Sequence, residues 1–364
     1  MLKFIISIFL AVDLFNLLPK KIEQALTQDV QQTKTEQQVT NVTNQNTSKQ
    51  SQTSTAKQTV VAQTEKQEDT SESEPDLQLA VISDSHISTT NQTSAVKLET
   101  ALKDLKTVAP DYNTLAVGGD MTDHGLNSEY DLFNSILNAN INPQASTFMV
   151  MGNHEWMEKK VNRSSTITDS QLINRFMIKM NTPGIYYDKW IQGYHFITIA
   201  GEKSETSMMA LYHNEADADS AYISDQQFSW LEQTLGVQAE DGKPIFVFLH
   251  QPITGTVYGS EWGAGLQDQK ILALLKKYPQ VILFSGHSHY PLNDPTSIVQ
   301  DGITMVNTSA VAYTYTKGTG KNTTQSQGYI VNVYDDRVEF KAREFSNQSW
   351  IRTVTVPIKT KAAA

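Results

Sequence analysis

The sequence contains no cysteine among its 364 residues. This absence excludes disulfide bonds, cysteine-ligated zinc sites, iron–sulfur clusters and thiol catalysis. Basic residues are also few, because 29 Lys and Arg stand against 39 Asp and Glu, and the formal net charge is -10. Sequence-independent binding of a nucleic-acid duplex requires clustered cations, so we expect no duplex among the partners of this protein.

A long apolar segment is missing as well. The N-terminal apolar run at residues 4–18 has 15 residues and contains Asp13, whereas a membrane span needs about 17 to 25. Lys3 precedes this run, and Ala25 is the best cleavage position after it, which is the layout of a secretory signal peptide. We therefore expect residues 1–26 to be a signal peptide, with a short uncleaved membrane anchor as the alternative. The protein is then expected to be secreted or held at the extracellular cell surface.

Residues 27–76 lack the side chains that build a hydrophobic core. They contain no Leu, Ile, Met, Phe, Tyr, Trp or Gly, and Gln, Thr, Ser and Asn supply 30 of the 50 residues. Such a segment buries too little apolar surface to offset its conformational entropy. We expect a disordered linker that holds a folded domain away from a membrane or cell wall, to which the N-terminal segment would tether it.

Beyond residue 76, short apolar runs alternate with amphipathic stretches. Apolar runs predict strands at 77–83, 114–117, 147–151, 195–200, 245–249, 281–284, 303–307, 329–334 and 338–343. Helical spacing predicts helices at 94–108, 128–138, 170–180, 224–235 and 268–278. Strands that alternate with helices predict an α/β domain, and the last two strands, which have no helix between them, predict a hairpin.

Polar side chains follow five of the predicted strands, at the point where each strand ends. The segments are DSH at 84–86, GDMTDHG at 119–125, GNHE at 152–155, His250 in LHQP, and GHSH at 286–289. Sites of open α/β sheets form beyond the carboxyl ends of the strands. Each segment alone is better explained by an ordinary turn or by a hydrogen-bonded core or loop residue. Among their side chains, five histidines, two aspartates and one asparagine take equivalent positions, which shared metal binding explains; they are His86, His154, His250, His287, His289, Asp84, Asp120 and Asn153.

The residue types indicate which metals such a site would hold. A set of Asp, Asn and His without thiolates suits Mn, Fe or Zn. Two ions in one site need a carboxylate that bridges them, and Asp120 is the natural candidate.

The five segments resemble the signature of the calcineurin-like metallophosphoesterases and occur in that family's order. The resemblance implies a four-layer α/β/β/α sandwich at about residues 77–350, which leaves 351–364 as a C-terminal tail. It also implies two divalent or trivalent metal ions. By position, one ion would be held by Asp84, His86, Asp120 and His289, and the other by Asp120, Asn153, His250 and His287.

The resemblance also implies a reaction. A hydroxide bound to the metal pair would attack phosphorus, while His154 would face the phosphate and protonate the leaving oxygen. Asp123 is expected to orient His154 or a ligand, although it equally suits an ordinary loop position.

Within the family, the sequence resembles the bacterial phosphodiesterase and purple-acid-phosphatase-like branches more than the Ser/Thr protein phosphatases. Small phosphodiesters, cyclic nucleotides among them, are therefore the expected substrates. One alternative is a phosphomonoesterase. The other is a non-catalytic surface binding protein with the same fold, which the complete set of ligand positions disfavours.

Overall fold

The computed structural model describes residues 74–213, 219–237, 243–263, 265 and 267–359. The predicted signal peptide at 1–26 and nearly all of the linker predicted at 27–76 lie outside the described residues. None of the helices in the described ranges has the length and apolar character needed to cross a bilayer.

Strands and helices alternate along most of these ranges. The strands are β1 Leu77–Ile82, β2 Thr114–Val117, β3 Ser146–Met149, β4 Tyr187–Ile191, β5 Tyr194–Thr198, β6 Ile245–Phe248, β7 Val281–Ser285, β8 Ile298–Asp301, β9 Ile303–Asn307, β10 Thr314–Thr316, β11 Gly320–Asn322, β12 Gln327–Val333, β13 Arg337–Glu344 and β14 Ser349–Pro357. The α-helices are α1 Gln92–Val108, α2 Asn127–Asn140, α3 Glu158–Val161, α4 Asp169–Met180, α5 Glu205–Tyr212, α6 Asp225–Leu235 and α7 Asp268–Leu275. Short 3-10 helices lie at His154–Trp156, Ser260–Trp262 and Pro295–Ser297.

Twelve of these strands form two six-stranded sheets, in the orders β14-β13-β12-β1-β2-β3 and β4-β5-β6-β7-β9-β8. In the first sheet β1, β2 and β3 are parallel, and β12 to β14 are antiparallel. In the second sheet β5, β6, β7 and β9 are parallel between antiparallel edge strands. The antiparallel pair of β12 and β13 confirms the predicted hairpin.

Alternate residues of the strands face different cores, since side chains point to opposite faces of a sheet. Ile82 of β1 packs in the core that includes helices α1, α2 and α4, whereas Val81 packs in the core between the two sheets. Phe246 of β6 shares that middle core, and Val247 packs in the core that includes α6 and α7. Three cores separate four layers, so the four-layer α/β/β/α sandwich is confirmed.

The structure differs from the predicted elements at the edges of the sheets. Strand β14 extends to Pro357, beyond residue 350, where the sequence predicts the domain to end. The sequence of this strand has no continuous apolar run, and Val356 is its one buried residue. Strand β4 likewise exposes its three central residues. An edge strand with one solvated face and few buried side chains lacks the signal from which the central strands are predicted.

A buried ion pair fastens α1 to the first sheet. Arg343 of β13 donates two hydrogen bonds to the Asp104 carboxylate, Nε to Oδ2 at 2.7 Å and Nη2 to Oδ1 at 2.8 Å. Both side chains are almost fully buried. Removing one partner of such a pair leaves the other charge buried without compensation.

We expect Asp104→Ala to lower the free energy of unfolding by about 3–5 kcal/mol, because the Arg343 guanidinium would stay buried and unpaired. Denaturant titration measures this loss. Glu232→Ala, which removes the partner of Lys277 in an exposed ion pair, is the matched control, with an expected cost below about 1 kcal/mol. A loss for Asp104→Ala no larger than that of the control would contradict the prediction.

Candidate metal centre

The polar segments converge where β1, β2, β3, β6 and β7 end. Although these strands belong to two sheets, their carboxyl ends deliver side chains to one place. The structure brings together the seven predicted ligands in two groups, which are Asp84, His86 and His289 on one side and Asp120, Asn153, His250 and His287 on the other.

In the first group, one ligand atom from each of Asp84, His86 and His289 lies within 4.8 Å of the others. The Nε2 atom of His289 is 3.1 Å from Asp84 Oδ1 and 3.0 Å from His86 Nε2. All three residues are buried. This geometry could hold one metal ion with two imidazole nitrogens and one carboxylate oxygen.

In the second group, ligand atoms of Asp120, His250 and His287 lie within 4.8 Å of one another. His287 Nδ1 is 2.9 Å from the Oδ1 atom of Asn153, which adds an amide oxygen to the group. Asp120 Oδ2 is 3.1 Å from His250 Nε2 and 3.8 Å from His86 Nε2 of the first group. The Asp120 carboxylate therefore faces both groups, as a bridging ligand requires.

The histidines are oriented through their second ring nitrogen. His250 Nδ1 lies 2.7 Å from Gly118 O, and His289 Nδ1 lies 3.0 Å from Tyr313 O. A carbonyl oxygen accepts only, so each Nδ1 carries a hydrogen, and in the neutral form of either ring Nε2 presents a lone pair to the centre. Such hydrogen bonds fix the tautomer of metal-binding histidines in general.

The lone pairs of the histidine Nε2 atoms point towards one another, an arrangement that bound cations would stabilise. With Nδ1 of His86 directed at the Asp123 carboxylate at 3.3 Å, the Nε2 atoms of His86 and His289 are lone-pair donors only 3.0 Å apart. His250 Nε2 is buried and makes no hydrogen bond of good geometry to another described residue, although Asp120 Oδ2 lies close. A metal ion between these atoms would satisfy each of them.

Charge states agree with this assignment. Burial, together with the neighbouring His154, lowers the pKa of His86 to about 4. Burial and His250 likewise lower the pKa of His287 to about 4, so both rings are neutral and able to bind metal. For His250 burial opposes the charged form, but Asp120 and Asp84 outweigh it and raise the pKa to about 10. Its site thus attracts a positive charge, whether proton or metal ion.

Backbone strain is concentrated at these positions. Asp84, His86, Asp120, His287 and His289 all have φ between 42° and 66°, in the left-handed region that residues other than glycine rarely adopt. Strain of about 1–3 kcal/mol at each such residue persists where the surrounding structure enforces it, typically at functional sites.

Two glycines give the strained loops the space that they need. Gly119 has φ of 107°, and a β-carbon there would collide with the His250 ring. A β-carbon at Gly152 would collide with the Asp120 carboxylate. The backbone therefore approaches the ligands more closely than any other residue would allow.

Glu155 organises the loop that carries Asp120, a role that the sequence did not reveal. Its buried carboxylate accepts hydrogen bonds from the backbone N–H groups of Asp120 at 3.0 Å, Thr122 at 3.0 Å and Gly152 at 2.8 Å. Burial and the nearby Asp120 raise the pKa of Glu155 to about 7. Its position directly after His154 in the GNHE segment was the available signal.

His154 and Asp123 lie beside the ligands. His154 Nδ1 donates to the backbone oxygen of Asp123 at 2.8 Å, and its N–H donates to Asp120 Oδ1 at 2.8 Å. The Asp123 carboxylate is nearer to ligand His86, at 3.3 Å, than to His154, at 3.7 Å. Asp123 thus contacts His154 through its backbone oxygen and the candidate ligand His86 through its carboxylate. His154 lines the cleft.

A cleft with a volume of about 730 Å³ lies over the centre. Besides the ligands and His154, the charged, histidine and tyrosine side chains that line it are Asp123, His124, Lys160, Asp219, Glu261, Tyr313 and Tyr315. Lys160 is paired with Glu205, Nζ to Oε2 at 3.0 Å. The sequence assigned no role to His124, and its Nδ1 lies 3.0 Å from Glu129 Oε1, at the start of α2.

The family model for calcineurin-like phosphoesterases matches residues 77–291, which is more than half of the chain. The chain belongs to this family. Membership implies a metal-dependent hydrolase of phosphoesters. By sequence, no curated protein matches the chain.

Solved structures share the fold at low sequence identity. A dimetal phosphatase from Danio rerio matches with a TM-score of 0.55 and 16% identity over 79% of this chain and 100% of that one. GAP50, described as the anchor in the inner membrane complex of Plasmodium, matches with a TM-score of 0.54 and 15% identity over 79% and 90%. A purple acid phosphatase from yellow lupin (Lupinus luteus) seeds matches with a TM-score of 0.51 and 14% identity over 77% of this chain and 53% of that one.

We expect the protein to bind two metal ions per chain, and Asp120→Asn to lower this number more than substitution of any other single ligand. The Asp120 carboxylate faces both groups, and asparagine tolerates the same left-handed backbone, so the loop should survive. Elemental analysis after dialysis against Mn measures the stoichiometry. Asp188→Asn, at the partner of the remote His195, is the control. Two retained ions in Asp120→Asn would contradict a bridging role.

Proposed function

We propose that this protein hydrolyses small phosphodiesters at the dinuclear centre, outside the cytoplasm, where the predicted export segment would deliver it. The proposed preference for diesters rests on the negative charge of the cleft. Beyond the ligands, its described lining includes the carboxylates of Asp123, Asp219 and Glu261, and its lysine, Lys160, is already paired with Glu205. A phosphodiester has one negative charge near neutral pH, whereas a phosphomonoester has up to two. The acidic lining therefore disfavours the monoester.

The residues divide the chemical work between them. When bound, two metal ions supply Lewis acidity, which lowers the pKa of water and neutralises charge on phosphoryl oxygens. In its protonated form His154 donates Nδ1–H to Asp123 O, so Nε2–H is the donor for the leaving oxygen. The Asp123 carboxylate, 3.7 Å from His154 Nδ1, would stabilise that positive charge. Asp123 also orients His86 as a ligand.

Two alternatives have observations in their favour. Structural neighbours described as a dimetal phosphatase and a purple acid phosphatase favour a phosphomonoesterase. A neighbour described as an anchor favours a binding role without catalysis. The convergence of all seven ligand positions, with His154 beside them, supports catalysis over binding alone.

Hydrolysis of paired substrates tests the proposal. After chelation and addition of Mn, we expect kcat/KM for bis(4-nitrophenyl) phosphate to exceed that for 4-nitrophenyl phosphate, with cyclic nucleotides as further diesters. The two compounds share the same leaving group and differ in charge and in one nitrophenyl group. The opposite order would identify a monoesterase, and a fully metal-loaded protein that hydrolyses neither would favour the binding protein.

We expect His154→Ala to lower turnover by roughly 10²- to 10⁴-fold, the usual contribution of a positioned proton donor. Metal content should be unchanged, because the His154 side chain is not among the assigned ligands. The loss should be smaller for nitrophenyl esters, whose leaving group needs no protonation, than for alkyl esters. Equal losses on both classes of ester would contradict the role of His154 as proton donor and leave it only a role in stabilising charge. Full activity of His154→Ala would show that His154 takes no part in the reaction.

A further inference from the structure

A two-stranded hairpin of β10 and β11 stands beside the ligand His289. Tyr315 of β10 donates its N–H to His289 O at 2.9 Å. Tyr313, which directly precedes the strand, accepts the Nδ1–H of His289 through its carbonyl at 3.0 Å. The hairpin is therefore joined to the metal centre through its backbone.

The hairpin turns an aromatic surface towards the cleft. Tyr313 and Tyr315 both line the cleft and are partly exposed, as expected for residues two apart on an extended chain. The Tyr313 ring lies 4.3 Å from the His289 ring and 5.8 Å from the His86 ring, measured between centroids. Tyr315 follows about 6.6–6.8 Å further along the strand. An aromatic surface thus begins at the metal centre and continues outward from it.

Lys97 of α1 holds the base of this hairpin. Its ammonium group donates to the backbone oxygens of Ala312 at 2.7 Å, Thr323 at 2.6 Å and Gln325 at 2.8 Å. These carbonyls lie before and after the hairpin, so one side chain ties both ends together. All three ammonium hydrogens are used. Burial lowers the pKa of Lys97 to about 8, a cost that these hydrogen bonds offset.

The remainder of the hairpin is held by Tyr290 and Lys321. Tyr290 Oη donates to Glu261 Oε1 at 3.0 Å and accepts the N–H of Lys317, in the turn, at 3.2 Å. The exposed Lys321 side chain places its ammonium group over one face of the Tyr313 ring, 3.5 Å from the centroid, and an aromatic group that stacks on this face would displace it. The backbone of the hairpin is fixed before any ligand arrives, which reduces the entropic cost of binding to it.

We propose that Tyr313 and Tyr315 form a subsite for a flat aromatic group esterified to the phosphate, and that Lys97 is the positioning residue that holds this subsite over the metal centre. The substrate class is then aryl or nucleoside phosphoesters. The assignment builds on the proposed function, since a phosphate bound at the centre sets where the esterified group lies.

Binding of two phosphonates tests the subsite without turnover. Phenylphosphonate and methylphosphonate carry the same anionic group, and neither is an ester that the enzyme could hydrolyse. By calorimetry on the Mn-loaded full chain, we expect phenylphosphonate to bind about tenfold more tightly, the effect of one stacked ring. Replacing both rings, in Tyr313→Ala/Tyr315→Ala, should bring the ratio of the two affinities close to one, and Tyr313→Phe/Tyr315→Phe should preserve it. Equal binding by the wild type, or an unchanged ratio in the double alanine variant, would overturn the subsite.

Lys97→Met tests the positioning role, because methionine keeps the length of the side chain but donates no hydrogen bond. We expect the affinity ratio to fall to less than about threefold, with the loss confined to phenylphosphonate, because only the aromatic contact depends on the hairpin. Lys103→Met, at an exposed lysine of the same helix, is the matched control and should keep the wild-type ratio. Equal weakening of both phosphonates, or an unchanged ratio in Lys97→Met, would overturn the positioning role.

The outcomes separate this proposal from the proposed function. A wild type that hydrolyses no diester would refute the diesterase, while the phosphonate ratio would still decide the subsite. Conversely, a diesterase with equal affinity for both phosphonates would keep the function and lose the subsite. Failure of the Mn-loaded protein to bind either phosphonate would overturn the subsite as well.

Discussion

Two buried carboxylates, Asp84 and Asp120, point at the same small volume, and the fold must hold them there. Burial raises the pKa of both carboxyl groups, and the charge of Asp120 raises that of Asp84 further. The surrounding imidazoles outweigh these effects, so both pKa values lie below the ordinary range. In the neutral rings the lone pairs of His86 and His289 add to the same concentration of negative potential. An arrangement of this kind is stable when cations occupy it or when the scaffold is rigid enough to impose it.

The scaffold supplies that rigidity from both sheets. The ligand segments leave the ends of buried strands, and backbone carbonyls or buried carboxylates fix their directions. Gly118 O orients His250, Tyr313 O orients His289, and Glu155 holds the N–H groups around Asp120. Much of the positioning is therefore done by main-chain atoms, whose places depend on the pairing of the strands more than on the identity of nearby side chains.

The contrast between central strands, whose side chains are buried, and contacts made by main-chain atoms explains which features could be predicted from the sequence. Central strands such as β6 and β7 are continuous apolar runs, and the ligands directly follow them, so both were evident. Strand β14 and the hairpin β10–β11 have few buried side chains and gave no signal. Lys97 is far in the chain from Ala312, to whose carbonyl it donates, and nothing in either local segment indicates that they meet. Contacts of this type arise from tertiary structure alone.

The hairpin of β10 and β11 pairs with neither of the six-stranded sheets among the described strands. Its length and side chains can therefore change without disturbing the three cores that stabilise the fold. The candidate metal ligands, by contrast, follow strands of the two sheets. Exchange of the side chains of this hairpin would thus change the surroundings of a bound ester, while the sheets that carry the candidate ligands stay intact.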